Sequence, residues 1–277
     1  MEFVGGRQDR AHLSRSRTAA MTARVALVTG AASGIGRVAA ARLAATGWTV
    51  AAVDLPGDAL DSVAETTGAV GFPCDVTDIR LVQTTAEKVR HQLGDVHRLV
   101  NAAGIAVAGR IDELPATTFA ETMAVNYLGT VHWVQALLPG MRDAGRGDLA
   151  LIASLAGWMP MPEMGAYTAT KFAVVGFAET LAMELRGSGI TVRCVCPMAV
   201  RTPMLNNIVG EGRHDSMQRL VPFIRPERVV DALEQSLQRR RAGVMVFPDA
   251  SSAVAWRARR WAPRALAATI NRFGMSR

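Results

Sequence analysis

From Arg24 onward, short apolar runs rich in Val and Ala alternate with longer segments of helical period, and the alternation holds to residue 249. The runs are Val25–Val28, Thr49–Val53, Ala69–Pro73, His97–Val100, Asp148–Ala153, Ile190–Cys196 and Val244–Phe247. Between them, helical patterns cover Ile35–Thr46, Ile79–Leu93, Pro115–Met141, Gly165–Arg186 and Glu227–Arg240. A strand that is apolar throughout is covered on both faces, and strands alternating with helices make βαβ units and a parallel sheet. The expectation is one α/β domain over residues 22–249, doubly wound around a parallel seven-stranded sheet. No Pro/Ser/Gly linker interrupts that span, and there is no internal repeat.

The net charge of +7 raises the question of a nucleic-acid partner, so its location matters. Residues 1–24 carry +3 and residues 250–277 carry +6, which leaves the body at −2. A slightly acidic body argues against a folded nucleic-acid surface. Residues 1–21 are Arg- and Ser-rich without periodicity and are predicted to be a disordered extension. They lack the apolar core of a secretory signal. Translation beginning upstream of Met21, naturally or artificially, accounts for the extension. No apolar run approaches the roughly 18 residues of a membrane span. The cysteines, Cys74, Cys194 and Cys196, are odd in number and lack nearby histidines. They read as small core residues in a reducing compartment, neither a disulfide framework nor a metal site. The location this implies is cytoplasmic.

Two local patterns carry chemistry. The first is the turn Thr29-Gly30-Ala31-Ala32-Ser33-Gly34-Ile35-Gly36, between the first strand and the first helix. Glycines there allow a tight turn and let a pyrophosphate approach backbone amides at a helix N-terminus. Asp54, 18 residues beyond Gly36 and at the tip of strand two, is placed to accept hydrogen bonds from an adenosine ribose and to repel a 2′-phosphate. NAD is therefore expected over NADP, with Arg37 as the complication. The second pattern is Tyr167-Thr168-Ala169-Thr170-Lys171. A tyrosine and a lysine at i and i+4 share one helix face. A cation near a phenol favours the phenolate, which is what a general base for an alcohol needs. Only Lys88 and Lys171 are lysines among the 31 Lys plus Arg residues, so a lysine at this position stands out against the chain's habit.

Taken in order, these residues resemble the short-chain dehydrogenase/reductase family over roughly residues 22–249. The spacing of Gly30, Gly34 and Gly36 is that family's T-G-x-x-x-G-x-G turn. Cys74-Asp75-Val76 resembles its D-V segment, Asn101-Ala102-Ala103-Gly104 its N-A-A-G turn, and Asn126 falls where the family keeps an active-site asparagine. Ser154, Tyr167 and Lys171 match its catalytic serine and Y-x-x-x-K. The resemblance implies a Rossmann-type fold and hydride transfer between a nicotinamide cofactor and a secondary alcohol or ketone. It assigns Tyr167 to proton transfer, Lys171 to the nicotinamide ribose and the tyrosine's acidity, Ser154 to the substrate oxygen, and Asn126 to a water on the proton path. It assigns Ser33, Ile35, Asp75, Val76, Asn101, Ala102, Gly104, Tyr167, Lys171, Pro197, Val200 and Thr202 to the cofactor, together with the three glycines and Asp54. It also implies a homo-oligomer, a tetramer built through Pro115–Met141 and Gly165–Arg186. One departure is Pro197-Met198, where the family reads P-G.

The substrate side is less determined. Met159, Met161, Met164, Met198 and Met204 cluster after strands five and six, either to line a pocket for a bulky apolar ligand or as ordinary core filling. Residues 203–224, punctuated by Gly and Pro, are expected to form a mobile lid. Residues 250–277 hold six arginines, no acid, and Trp256 and Trp261 five apart, with Pro263 predicted to split two short helices. This tail is expected either to touch an anionic membrane surface or to pack on a neighbouring subunit. Two other readings stay open: an NADP-dependent carbonyl reductase, and a dinucleotide-binding regulator without turnover.

Overall fold

The computed structural model describes residues 24–205, 223–239 and 242–274. The predicted disorder of residues 1–21 and most of the expected lid lie outside these residues. Seven strands form one parallel sheet in the order β3-β2-β1-β4-β5-β6-β7. They are β1 (Val25–Thr29), β2 (Thr49–Asp54), β3 (Val70–Pro73), β4 (Val96–Asn101), β5 (Gly147–Ile152), β6 (Ile190–Val195) and β7 (Met245–Val246). The helices are α1 (Gly34–Ala45), α2 (Asp58–Thr67), α3 (Ile79–Leu93), α4 (Ala116–Met123), α5 (Gly129–Asp143), α6 (Gly165–Glu184), α7 (Pro226–Gln238), α8 (Ala250–Trp261) and α9 (Pro263–Gly274).

The two-residue period of each strand sends alternate side chains to two separate cores. Leu27, Ala51, Val53, Leu99, Leu149 and Leu151 meet residues of α3, α5 and α6 on one face. Ala26, Val28, Val50, Ala52, Val100 and Ala150 meet α1, α2 and α7 on the other. The small Ala39 and Ala40 let α1 lie close on the sheet. Arg98 is buried yet satisfied, donating to Asp148 and Glu234 and stacking 4.5 Å over Trp48, which ties β4 to β5 and α7. The strand order turns back between β1 and β4. In such sheets ligands bind at that switch point, beyond the strands' carboxyl ends.

Three local expectations change. The helix α2 was not anticipated; it buries only Leu60 and Val63, too few to show a period. The β7 strand is shorter than Val244–Phe247. The long helix Pro115–Met141 is instead α4, a π-helical turn Ala124–Leu128, and α5. A π turn widens the helix by one residue, an arrangement that recurs at functional sites, and Asn126 sits within it.

Candidate active site

The glycine-rich turn has the geometry that its composition requires. Gly30 and Gly34 take left-handed backbone at φ 65° and 53°. A methyl on Gly30 would lie 2.7 Å from Ala103 N, and one on Gly36 would collide with the Gly30 carbonyl oxygen. The turn is thus wedged between β4's end and its own helix, leaving α1's first amides beyond it. Ser33 precedes α1 in extended conformation, without a side-chain cap on the amides behind it. Asp54 Oδ2 accepts from Ala32 N at 2.8 Å, which binds the tip of β2 to the turn. Asp75 accepts from Thr77 N and Oγ1, and Val76 is buried against Gly129. Val200 forms a bridge to Ile224, and the Thr202 methyl faces Gly34 at 3.0 Å from where a Cβ would stand. Pro197 is buried, its carbonyl accepting from Leu155 N at 2.8 Å, with Met198 half-buried beside it.

These residues fit a dinucleotide: a turn with glycines at 30, 34 and 36 at a helix start, a carboxylate at the end of β2, and a glycine at 104 beside Lys171. A Cβ on Gly104 would stand 3.1 Å from Asn126 Oδ1, 3.8 Å from Lys171 Nζ and 3.8 Å from Met204 Cε. Four groups expected at one site therefore do converge on a single point.

Ser154 follows β5 and caps a 3-10 turn, Leu155–Gly157, by accepting from Ala156 N at 3.1 Å. Lys171, 4% exposed, donates to Ile152 O at 2.9 Å. Its Nζ lies 5.5 Å from the centre of the Tyr167 ring. Tyr167 is partly buried. Burial pushes that phenol up to about 12, against a hydrogen bond from Ser154 that pulls it down. Burial also pushes Lys171 down to about 8. Desolvation disfavours the charged form of each group.

Asn126 is held by its protein neighbours. Its Oδ1 accepts from Ile105 N at 2.8 Å, and its Nδ2 donates to Ile105 O at 2.9 Å and to Thr170 Oγ1 at 3.0 Å. Both ends of the side-chain amide are thus bound to protein. Asn101 is likewise turned inward, accepting from Thr29 Oγ1 and donating to Thr130 Oγ1, while Thr29 Oγ1 takes the amides of Ala102 and Ala103. Thr130 then donates to Asn126 O at 2.7 Å, and Thr170 to Tyr167 O at 2.7 Å. A buried chain, Thr29–Asn101–Thr130–Asn126–Thr170, thereby joins the end of β1 to the Tyr167 turn. Thr130 and Thr170 were missed from sequence. The available signal was position, since Thr130 lies four residues after Asn126 and Thr170 lies inside the Tyr–Lys motif.

The methionines separate. Met204 reaches the cleft at Gly104. Met164 is buried, bridging to Gly109. Met159 and Met161 instead line an outer groove against the C-terminal helices. Those helices dock on their own subunit: Trp256 packs edge-on to Trp158 at 6.1 Å and tilted against Phe247 at 5.3 Å. Trp256 is therefore not reserved for a neighbouring subunit, whereas Trp261 is 81% exposed. Pro263 does separate two helices, as expected.

Comparison with known proteins agrees with this geometry. The family model for short chain dehydrogenase matches residues 24–211. The chain is 36% identical over 217 residues to D-threitol dehydrogenase of Mycolicibacterium smegmatis, covering 76% of this chain and 84% of that protein. It is 31% identical over 225 residues to human estradiol 17-beta-dehydrogenase 11, covering 78% and 72%. A short chain dehydrogenase/reductase from Burkholderia phymatum, solved in complex with NAD, superposes with a TM-score of 0.77 at 27% identity over 86% of this chain and 93% of that one. The chain belongs to the short-chain dehydrogenase family, as an oxidoreductase that works on alcohol or carbonyl groups with a nicotinamide dinucleotide.

Proposed function

We propose that the protein transfers a hydride between NAD(H) and a secondary alcohol or ketone carried on a bulky apolar group, lipid-, steroid- or terpenoid-like. The observation that carries the reading is the convergence of Lys171 Nζ, Asn126 Oδ1 and the Met204 methyl on Gly104. A buried ammonium, a positioning amide and a flexible apolar side chain share one cleft. One relative's name points to a sugar alcohol and another's to a steroid. A thioether at the cleft offers contact to apolar surface and weak hydrogen bonding, which favours the second class.

The bound cofactor would supply the hydride donor or acceptor. Gly30, Gly34 and Gly36 with Ser33 and Ile35 would hold its pyrophosphate. Asp54 would take the adenosine ribose, Asp75 and Val76 the adenine, and Ala102, Gly104, Pro197, Val200 and Thr202 the nicotinamide half. Asp54 supports NAD over NADP, because a carboxylate repels a 2′-phosphate. Ser154 Oγ would hydrogen-bond the substrate oxygen and steady its developing charge. Tyr167, protonated at neutral pH, would give its proton in reduction and recover it in oxidation. Asn126 acts here as a positioning residue through Thr170. The test is a panel of apolar secondary alcohols, ketones and polyols with both cofactors, followed at the nicotinamide absorbance. Better kcat/KM on polyols, or with NADP, would reverse the corresponding half of the reading.

We further infer a tetramer in the cytoplasm, with the tail's outer face on an anionic membrane surface. Support for assembly is the exposed Leu128, Phe172 and Met183, on the π turn and α6. Support for the membrane is the exposed Val254 and Trp261 among arginines without an acid, a composition that suits anionic headgroups. Among the described residues no helix is long and apolar enough to cross a membrane. Light scattering reads the first inference and salt-sensitive co-sedimentation with phosphatidylserine vesicles the second.

A further inference from the structure

The segment that joins Ser154 to Tyr167 forms one wall of a groove that the cofactor chemistry does not use. Met159 and Met161 stand on that wall, each with a proline after it, and Arg259, Pro263, Leu266 and Ala267 stand opposite on α8 and α9. The groove holds about 360 Å³, within the roughly 300–1,000 Å³ of small-molecule sites. Among the described residues its only charged lining residue is Arg259. No ion pair to Arg259 forms among the described residues, and residues 250–277 contain no acid to supply one. The opposite wall is fixed by Trp256 on Trp158, four residues after Ser154. The loop wall is held by Gly109 N donating to Glu163 O at 2.7 Å, with Glu163 in left-handed backbone at φ 60°. A non-glycine residue keeps such a conformation only when its surroundings impose it.

We propose that this groove seats the distal part of the substrate: an alkyl or similarly apolar chain ending in a carboxylate or another anion, which pairs with Arg259. The inference rests on the apolar-substrate reading above and narrows it to an anionic amphipath. Three features select this occupant. The wall begins five residues after the serine proposed to hold the substrate oxygen and ends five before the proposed proton donor, so one short connector carries both the groove wall and the proposed catalytic residues. Methionine, proline and leucine walls accept methylenes. The one guanidinium in the lining, without an ion pair among the described residues, recognises an anion by charge-assisted hydrogen bonds.

The test uses the full chain, with dodecanoate and dodecanol as probes at concentrations below micelle formation and without vesicles. Calorimetry should show one dodecanoate bound per chain, at least tenfold tighter than dodecanol. Arg259→Gln should remove that preference, and Arg259→Glu should shift it to dodecylamine. Ala267→Trp, which fills the groove, should weaken both probes about tenfold. With ketones, Arg259→Gln should lower kcat/KM for 10-oxoundecanoate five- to tenfold and leave 2-butanone within twofold. Equal binding of the charged and neutral probes, insensitivity to both substitutions, or binding only when phosphatidylserine vesicles are present would overturn the proposal. Binding as described in a protein that turns over no apolar alcohol or ketone would instead sink the catalytic reading and leave only a lipid site. Turnover of apolar ketones without the Arg259 effect would sink the groove alone.

Discussion

Asn126 donates its side-chain amide to Thr170 Oγ1 at 3.0 Å, and Thr170 in turn donates to the carbonyl of Tyr167 at 2.7 Å. The π turn is thereby coupled to the helix that carries both Tyr167 and Lys171. Thr170→Val keeps the shape, removes both hydrogen bonds and leaves a buried amide hydrogen without a partner. That omission costs about 1–3 kcal/mol. The expected variant folds with a lower denaturation midpoint, loses kcat more than KM, and recovers in Thr170→Ser. Unchanged kcat in a destabilised Thr170→Val would reduce the contact to packing.

Tyr167→Phe removes the proposed proton carrier and leaves the cofactor's contacts in place. Turnover should fall by roughly 10² to 10⁴, the usual range for a general acid or base, with NADH affinity by fluorescence titration within about threefold.

The chain has two tyrosines, Tyr127 and Tyr167, so phenol ionisation is readable by difference absorbance. With the Tyr167 phenol pushed up to about 12, wild type minus Tyr167→Phe should show no tyrosinate signal below about pH 10 in cofactor-free protein. An ionisation near pH 7 would mean that Lys171 controls the phenol even without cofactor.

Lys171 gives the complementary stability prediction. Its folded pKa of about 8 lies below the ordinary 10.5. The folded state therefore binds the proton less well than the unfolded state, and burying the ammonium costs stability. The cost is full below pH 8 and disappears as pH rises through 10.5. Lys171→Met should be inactive yet more stable at pH 7, by on the order of 1–2 kcal/mol after the lost bond to Ile152 O is counted. The gain should shrink at pH 10. Lower stability at both values would contradict the cost of the buried charge.

The sheet was legible because strands covered on both faces are continuous apolar runs, and Val25–Thr29 or Leu149–Ile152 can hardly be read otherwise. The glycines at 30, 34 and 36 were legible because each meets a steric demand that one residue type satisfies. The π turn at 124–128 was not, since one extra residue in a hydrogen-bond register leaves no mark on local hydrophobic period. Thr130 and Thr170 acquire their meaning only when β1, α5 and α6 meet. The i, i+4 spacing of Tyr167 and Lys171 reports the neighbouring charge but not the depth at which both groups lie. The methionines divided between cleft, core and groove because long-range packing, not composition, decides which faces each meets.

The last prediction concerns how the C-terminal helices are held. Asp249 caps α8 by accepting from Ser252 N at 2.8 Å and from Ser252 Oγ at 2.6 Å, so the helix start is fixed locally. Its middle is fixed by Trp256 between Trp158 and Phe247. Aromatic pairs of this geometry contribute about 0.5–1.5 kcal/mol each beyond the area they bury. Trp256→Ala should therefore raise amide exchange in residues 250–274 by at least tenfold and leave α1 and β1 unchanged. If the groove they complete seats the substrate's distal end, KM for 10-oxoundecanoate should rise while 2-butanone keeps its kcat/KM. Faster exchange spread evenly over the sheet would show that Trp256 supports the whole domain, and the tail would then be part of the core and not a wall set against it.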